Sequence, residues 1–389
     1  MAEAEDQTYM KFYKHSIFIA LILVAGCTNK NGSHTEDLGL EEREASSYPF
    51  QEVSARFNEE DAATAFHTFN EYYYDEDAKL YYSSTEHTGL GSIWTQAIFW
   101  DIVMHYYEHT EEPQYLEMIH DIYQGGYDQY DGYNWQNEIE WFIYDDIMWW
   151  VISLARAYEI TGEEVYLEKS ITGFDRVWEG SYDPEQGGMY WDFHHSGKNA
   201  CINYPTVIAA MRLFNLTGEE SYLEKAREIY HWSRENLLDP ESGRVADHIS
   251  AGGNIGYEDY TYNQGTAIGA AVMLYQESGD ESYLADARKM ADYTRDVMSD
   301  EHGILPAEGD WNEQGVLKAI FAHYMKDLIT KGGQEQYRGW MVHNANTAWE
   351  NRDPARGIMH RDYTRPAPTG TIQSYESSSG VALMRLFAN

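Results

Sequence analysis

The sequence predicts an all-α fold in which six helical hairpins close into a double ring. One indication is a Tyr-Leu pair that recurs at residues 115–116, 166–167, 222–223 and 283–284. Another is the pattern around each pair, where an apolar helix, a turn and an amphipathic helix follow one another. A folded part of about 340 residues and a mean step of about 56 give about six units. Because the last segment (380–387) is apolar rather than a polar cap, closure is favoured over an open superhelix.

The first 27 residues are predicted to be a lipoprotein signal peptide. A basic segment (11–15) precedes an apolar run (16–26) that is too short to span a bilayer. The Val-Ala-Gly-Cys sequence that ends at Cys27 resembles a bacterial lipobox, which implies cleavage before Cys27 and lipid attachment to its thiol. A plain secretory signal is the alternative, and Met10 is a second candidate start.

Residues 28–47 are polar and lack apolar periodicity, so we expect a flexible tether. The folded domain is then expected to span residues 48–389. With Cys27 in the leader, Cys201 is the one cysteine of the domain, and we expect it to be a small buried residue rather than a nucleophile.

Charge and aromatic content narrow the classes of ligand. The formal net charge of −38 argues against nucleic acid, which needs clustered Lys and Arg. The chain has 12 Trp and 33 Tyr, whose flat faces and polar tips suit stacking on sugar rings as well as core packing.

Each repeat unit has the same predicted construction. An apolar helix ends at Thr-Gly or Ser-Gly, where Gly provides a left-handed C-cap, as at Gly162, Gly218 and Gly279. The next helix opens with acidic residues at its positive end. In a ring of such hairpins, the helices that precede these turns are the inner ones.

Residues 134–155 are predicted to form the inner helix of the second hairpin. A rotation of 100° per residue gives one apolar face, formed by Ile143, Ile147, Trp150, Val151 and Leu154. The opposite face is acidic and aromatic, with Glu138, Trp141, Phe142, Asp145, Trp149 and, at its margin, Asp146. Since ionised carboxylates are rarely buried without a purpose, this face is predicted to line a cavity.

The N-terminal ends of the other inner helices combine amides or hydroxyls with aromatic rings, which suits a neutral polyol such as a carbohydrate. A single Asn, Ser or Asp there is equally well explained as a helix cap. All six ends together favour a binding site. The predicted sugar-binding residues are Trp94, Gln96, Trp141, Trp149, Asn203, Tyr204, Tyr262, Asn263, Gln264 and Trp311.

Other chemistries have little support in the sequence. It has no phosphate-binding Gly-rich loop with Lys and no nucleophile elbow. The fifteen His are scattered, and no helical His-x-x-x-His spacing accompanies the adjacent pair His194-His195, so we expect no metal site and no cofactor.

Asp145 and Asp146 are the predicted catalytic pair. Glycosidases that retain anomeric configuration hold two carboxyl groups about 5–5.5 Å apart, and inverting enzymes hold them about 6.5–9.5 Å apart. Adjacent residues on one helix match the shorter range. Two carboxylates at that distance do not both ionise easily, so one is expected to remain a proton donor, and geometry alone leaves open which one.

The motif Tyr-Asp-Asp-Ile-Met-Trp-Trp at residues 144–150 resembles glycoside hydrolase family 76. So do Trp-Thr-Gln-Ala at 94–97 and Tyr-Asn-Gln-Gly at 262–265, and the similarity extends from about residue 60 to the end. The resemblance implies an (α/α)6 barrel and a retaining endo-α-1,6-mannanase that uses no metal. It also implies that the first Asp (Asp145) is the nucleophile and the second (Asp146) the acid/base.

The expected ligand is therefore α-1,6-linked mannan, cleaved by a monomeric enzyme. Together with the lipobox, the resemblance fits a lipid-anchored protein of the bacterial envelope, at the outer membrane or cell surface, or a secreted or periplasmic one without the anchor. Two alternatives remain: another glycosidase of this barrel, such as an unsaturated glucuronyl hydrolase, which would carry Arg or Lys in its cavity, and a glycan-binding lipoprotein without catalysis.

Overall fold

The computed structural model describes residues 50–309 and 312–388. They belong to a compact unit that spans residues 47–389. The leader, the tether and Cys27 lie outside the described residues, as does Trp311. In the described part of the chain, no helix combines the length and the apolar character needed to cross a bilayer.

Twelve α-helices alternate between two layers in the described ranges. The outer helices are α1 (Glu59–Tyr73), α3 (Pro113–Gln129), α5 (Glu164–Ser181), α7 (Glu220–Asn236), α9 (Glu281–Tyr293) and α11 (Arg338–Glu350). The inner helices are α2 (Ile93–Thr110), α4 (Tyr144–Thr161), α6 (Ala200–Thr217), α8 (Thr261–Ser278), α10 (Leu317–Thr330) and α12 (Ser374–Phe387).

The inner helices form a closed ring. Each one packs against the next inner helix along the chain, and α12 packs against α2. Their side chains are mostly buried, whereas the outer helices bury one face and expose the other. This arrangement confirms the predicted (α/α)6 barrel.

The predicted turns are also present. Gly162, Gly218 and Gly279 follow α4, α6 and α8 with φ values of 71°, 73° and 70°, each in the left-handed conformation that favours Gly. The hydroxyls of Thr161 and Thr217 donate to carbonyls four residues earlier, at 2.7 Å in both cases, which satisfies acceptors of the last helical turn.

Two small antiparallel sheets, which the sequence did not predict, lie in the loops before the inner helices. Their strands are β1 (Tyr74–Asp75), β2 (Leu80–Tyr81), β3 (Gly197–Asn199), β4 (His248–Ser250) and β5 (Ile255–Gly256). β1 pairs with β2, and the second sheet has the order β3-β4-β5. Because β3 runs directly into α6, and the Ala200 N–H donates to the Asp247 carbonyl at 2.8 Å, this sheet places the loop before α8 beside the start of α6.

The predicted helix over residues 134–155 is wrong in its first ten residues, because α4 begins at Tyr144. Residues 134–143 form turns instead. The side-chain amides of Asn134 and Asn137 donate to the Asp131 carboxylate at 3.0 and 2.9 Å, and the Asn137 side-chain oxygen accepts from the Ile139 N–H at 3.2 Å. Such local side-chain bonds compete with the helical hydrogen-bond ladder.

Close packing of α8 on α10 depends on Gly265. A Cβ atom at this position would lie 2.7 Å from the Cα of Phe321, which belongs to the backbone of α10. That distance is far inside van der Waals contact, and a helix backbone cannot yield locally as a flexible side chain can.

We therefore expect Gly265→Ala to lower the free energy of unfolding by about 1–2 kcal/mol. The gain of about 1 kcal/mol in helix propensity is outweighed by an overpacking cost of about 2–3 kcal/mol, at the upper end of the usual range because the contact is with backbone. Chemical denaturation of the purified domain measures the change. Gly370→Ala is the matched control, because no atom lies within 4 Å of its added Cβ; equal stabilities of the two variants would contradict the packing argument.

Candidate active site

Asp145 and Asp146 lie in the first turn of α4, at the N-terminal end of the inner ring. The start of this helix is tied to the preceding loop, since the Tyr144 N–H donates to the Trp191 carbonyl at 3.1 Å. Asp145 is partly exposed and Asp146 is buried. The two adjacent carboxyl groups therefore sit at one side of the ring's centre.

Burial has the largest effect on the pKa of both carboxyl groups and raises it. The N-terminus of the helix favours negative charge and acts in the opposite direction. Burial raises the pKa of Asp145 to about 7, an effect that hydrogen bonding by the Cys201, Trp191 and Trp149 side chains partly offsets. It also raises the pKa of Asp146 well above the ordinary range, and the negative charges of Asp145 and Glu313 add to this rise. The pair therefore keeps its protons to higher pH than ordinary aspartates do, and the charge of Asp145 adds to this effect on Asp146.

Three aromatic rings from three inner helices form a wall beside the pair. The ring centroids of Trp94 and Trp149 are 5.9 Å apart, and those of Trp149 and Tyr262 are 6.4 Å apart with the planes inclined by 26°. The Trp149 side chain also hydrogen-bonds to the Asp145 carboxyl group, which ties the wall to the pair. Flat apolar faces beside a carboxyl group are thus available to a polyhydroxylated ligand.

Cys201 and Asp247 complete the surroundings of Asp145. Burial, followed by the charges of Asp145 and Asp247, raises the pKa of the Cys201 thiol well above its usual value, so the thiol stays protonated and donates to Asp145. Cys201 is buried, as predicted, but its position beside Asp145 was not. The Asn263 amide donates to the Asp247 Oδ1 at 2.9 Å, so this predicted sugar-binding residue holds a carboxylate of the site.

The position of a residue within its inner helix is a signal that could have revealed part of this arrangement. The second residue of each of five inner helices lies at the site: Trp94, Asp145, Cys201, Tyr262 and Tyr375. Tyr375 contributes a hydroxyl that accepts from the Ser92 N–H at 2.9 Å. Trp191 and Asp247 lie in loops without periodicity, and the sequence offers no comparable signal for them.

Three predicted sugar-binding amides hold loops instead, and we correct their role. Gln96 accepts from the Tyr81 N–H and donates to the Tyr81 carbonyl, both at 2.9 Å. Asn203 does the same with Met189, at 2.8 and 3.0 Å. Gln264 is oriented to donate to the Gly243 carbonyl and to accept from the Val245 N–H, both at 3.1 Å. All three side chains are buried, which leaves them no free hydrogen-bonding capacity toward a ligand.

Two predicted sugar-binding aromatic residues belong to the core, which is a second correction. Trp141 is fully buried and packs on Trp135, with centroids 4.5 Å apart, because the segment before Tyr144 is not helical and turns it away from the Asp145 side. Tyr204 is buried between α6 and α7, where it faces Tyr230 at 6.3 Å.

Two groups of His, Asp and Glu side chains in the described ranges have ligand atoms within 4.8 Å of one another: Asp101, His105 and His323; and Asp247, His248 and Glu258. In the first group, the Arg156 guanidinium bonds to the Asp101 carboxylate and to Glu108, so an arginine already supplies the positive charge beside these acids. Asp101 and His105 have the i, i+4 spacing of metal ligands on a helix, and the same spacing separates His105 from His109.

The family comparison decides the class of the protein. The sequence profile of glycosyl hydrolase family 76 matches residues 57–385. The chain belongs to this family. It is therefore a glycoside hydrolase, which removes the alternative of a glycan-binding protein without catalysis.

Solved structures and relatives agree with this assignment. The chain is similar to the family-76 α-1,6-mannanase of Salegentibacter sp. HEL1_6, with 28% identity, a TM-score of 0.78, and coverage of 84% of this chain and 98% of that one. The fold is also that of a family-76 α-mannanase from Bacteroides thetaiotaomicron, at 18% identity, a TM-score of 0.72, and coverage of 84% and 94%. A mannan endo-1,6-α-mannosidase from Candida albicans is 23% identical over 307 residues, which are 69% of this chain and 67% of the relative.

Because the pKa of Asp145 is raised in the folded state, we expect the free energy of unfolding to depend on pH. The folded-state Asp145 pKa of about 7 lies above the unfolded value near 4, so the unfolded chain loses this proton first as the pH rises. Stability is therefore lost between about pH 4 and pH 7. Asp145→Asn removes this loss, and we expect the variant to gain roughly 2–4 kcal/mol over the wild type at pH 8, with little difference at pH 4.

Thermal and urea unfolding across this pH range measures the difference. Asp77→Asn, at an exposed position, serves as the control for the loss of one charge. A stability difference that stays constant between pH 4 and pH 8 would show that Asp145 is not desolvated as described.

Proposed function

We propose that this family-76 enzyme cleaves α-1,6-mannosidic bonds within mannan chains, with Asp145 as nucleophile and Asp146 as general acid and base. The observation that supports these roles most directly is the unequal protonation of the adjacent pair. Burial and the negative charges of Asp145 and Glu313 favour the protonated form of Asp146, whereas the pKa of Asp145, about 7, leaves a large fraction of that group ionised at neutral pH.

The proposed reaction has two displacement steps. An ionised Asp145 oxygen attacks the anomeric carbon, the glycosidic C–O bond breaks, and Asp146 gives its proton to the departing oxygen. The product is a covalent mannosyl ester of Asp145. Water then attacks the same carbon while Asp146 takes a proton from it, and the Asp145 carboxylate leaves. Two inversions retain the configuration.

The surroundings of the pair favour a neutral sugar. Trp94, Trp149 and Tyr262 offer stacking faces, and the charged groups acting on Asp146 are the carboxylates of Asp145 and Glu313. An anionic sugar, as an unsaturated glucuronyl hydrolase requires, would be repelled here. The linkage is supported by the Salegentibacter enzyme, of which a variant with two adjacent aspartates replaced was solved in complex with α-1,6-mannotetrose.

Incubation with debranched α-1,6-mannan tests the substrate and the mode of attack. An endo-acting enzyme releases a ladder of manno-oligosaccharides early in the reaction, whereas release of mannose alone would contradict endo cleavage. The anomeric proton signals of the first products, recorded before mutarotation, are expected to be those of the α-anomer. A β-anomer would overturn the retaining mechanism.

Asp145→Asn and Asp146→Asn are each expected to lower kcat by at least about 10³-fold without loss of folding, because each removes one partner of the reaction. Near-normal activity of either variant would contradict the catalytic role of that aspartate. Far-ultraviolet circular dichroism and thermal unfolding are the folding controls.

The corresponding Ala variants distinguish the two roles when supplied with azide and an aryl α-1,6-mannobioside that has a good leaving group. With Asp145→Ala, azide replaces the nucleophile and the product is the inverted β-azide. With Asp146→Ala, azide attacks the ester on Asp145 and the product is the α-azide. The opposite pair of products would exchange the two roles.

We also propose that the mature protein is a monomer, lipid-anchored at Cys27 in a bacterial envelope, at the outer membrane or cell surface. The support is the basic segment, the short apolar run and the Val-Ala-Gly-Cys sequence that ends at Cys27. A surface anchor would hold the catalytic domain, through the polar residues 28–47, within reach of an external polysaccharide. Light scattering of the detergent-solubilised protein tests the monomer.

Cys27→Ser is expected to abolish lipid attachment, because no other thiol follows the apolar run within reach of the leader. In a bacterial host that processes lipoproteins, the wild type should partition into the detergent phase of Triton X-114 and incorporate labelled palmitate, and the variant should do neither. Cys201→Ser is the control for loss of a thiol. A detergent-phase variant with label would contradict anchoring at Cys27.

A further inference from the structure

Glu313 brings a third carboxylate to the catalytic pair. It is the first residue of a 3₁₀ turn, Glu313–Val316, that directly precedes α10. Its Oε2 atom accepts a hydrogen bond from the indole N–H of Trp94, and its negative charge acts on Asp146. Glu313 therefore links the aromatic wall to the proton-holding member of the pair.

The turn that carries Glu313 is held on both sides. The Gln314 amide donates to the Tyr260 hydroxyl at 2.9 Å, and the Ser379 hydroxyl donates to the Gly315 carbonyl at 2.6 Å. Gly315 also lies against α12, since an added Cβ would be 2.8 Å from the Glu376 nitrogen. The position of the carboxylate is thus determined by α12 and by the residue that precedes α8, rather than by a free loop.

A hydrogen bond to Trp94 alone does not explain a carboxylate at this position. An indole N–H needs one acceptor, and a neutral amide oxygen would supply it without placing a third negative charge beside two carboxyl groups. No Lys, Arg or His of the described ranges forms an ion pair with Glu313. Its charge is therefore directed at the site uncompensated, where like charges favour the protonated form of a neighbouring acid.

We propose that Glu313 is a positioning residue that, through Trp94, orients the sugar-stacking wall and places a third negative charge beside the catalytic pair. This inference rests on the proposed function. Asp146 faces Asp145 on its own helix and Glu313 on the turn before α10, while Asp247 and the Cys201 thiol act on Asp145. Glu313 is the member of this set that can be neutralised without removing a proposed reacting group or altering its bonding.

Glu313→Gln tests the electrostatic role, because the amide oxygen still accepts from Trp94. We expect the alkaline limb of the kcat/KM profile on α-1,6-mannan to move to lower pH by about one unit, since Asp146 gives up its proton more easily without the neighbouring charge. KM should change less than about twofold. An alkaline limb that stays in place would overturn the proposal.

Glu313→Leu tests the second role, since it removes the charge and the acceptor together. The same pH shift is expected, and in addition KM should rise several-fold as Trp94 loses its partner. Equal KM values for the Gln and Leu variants would overturn the orienting role. Glu301→Gln is the matched control for loss of one negative charge, because the Glu301 side chain is 88% exposed.

A readout without turnover separates this inference from the proposed function. The titration of the Asp146 carboxyl is followed by carbon-13 NMR of aspartate-labelled protein and assigned by the signal missing in Asp146→Asn. The midpoint is expected to fall in Glu313→Gln and to stay unchanged in Glu301→Gln. If the wild type does not cleave mannan, the proposed function fails while this titration still decides the role of Glu313; an unchanged midpoint in Glu313→Gln overturns it.

Discussion

Desolvation of two adjacent carboxyl groups is the constraint on which the rest of the site depends. In water Asp145 and Asp146 would both ionise; in the first turn of α4, burial disfavours the charge on each and proximity disfavours two charges at once. The ring of inner helices is what excludes water there. The fold thus turns two ordinary acids into a nucleophile that can ionise and a proton donor that holds its proton.

The repeated hairpins supply the side chains that line this water-poor centre of the ring. Each inner helix starts at the same level, so equivalent positions meet around one axis, and the second residue of five of them reaches the site. Different side chains therefore occupy one repeated position: an aromatic ring at Trp94 and Tyr262, a carboxyl group at Asp145 and a thiol at Cys201. The fourth position performs a structural task in three helices, where Gln96, Asn203 and Gln264 hold the loops.

Stability and function oppose one another in this barrel. The buried pair lowers stability as the pH rises through neutrality, and the third carboxylate, Glu313, adds a repulsive charge rather than a compensating one. Elsewhere along the same ring acids are neutralised: the buried guanidinium of Arg156 pairs with Asp101 and with the half-exposed Glu108. The contrast shows that the uncompensated charge at the site is a local property and not a consequence of the acidic composition.

The sequence by itself determined the ring, because apolar periodicity, Gly C-caps and a recurring Tyr-Leu pair are local signals with one compatible closure. It also located Asp145, Asp146 and the aromatic wall. Only the tertiary structure decided which polar residues face the site. An amide such as Asn203 has the same chemistry whether it binds a sugar or the Met189 backbone, and the loop that chooses between them is distant in sequence and aperiodic. For the same reason the contact between Glu313 and Trp94, which are 219 residues apart in sequence, is visible only in the closed ring.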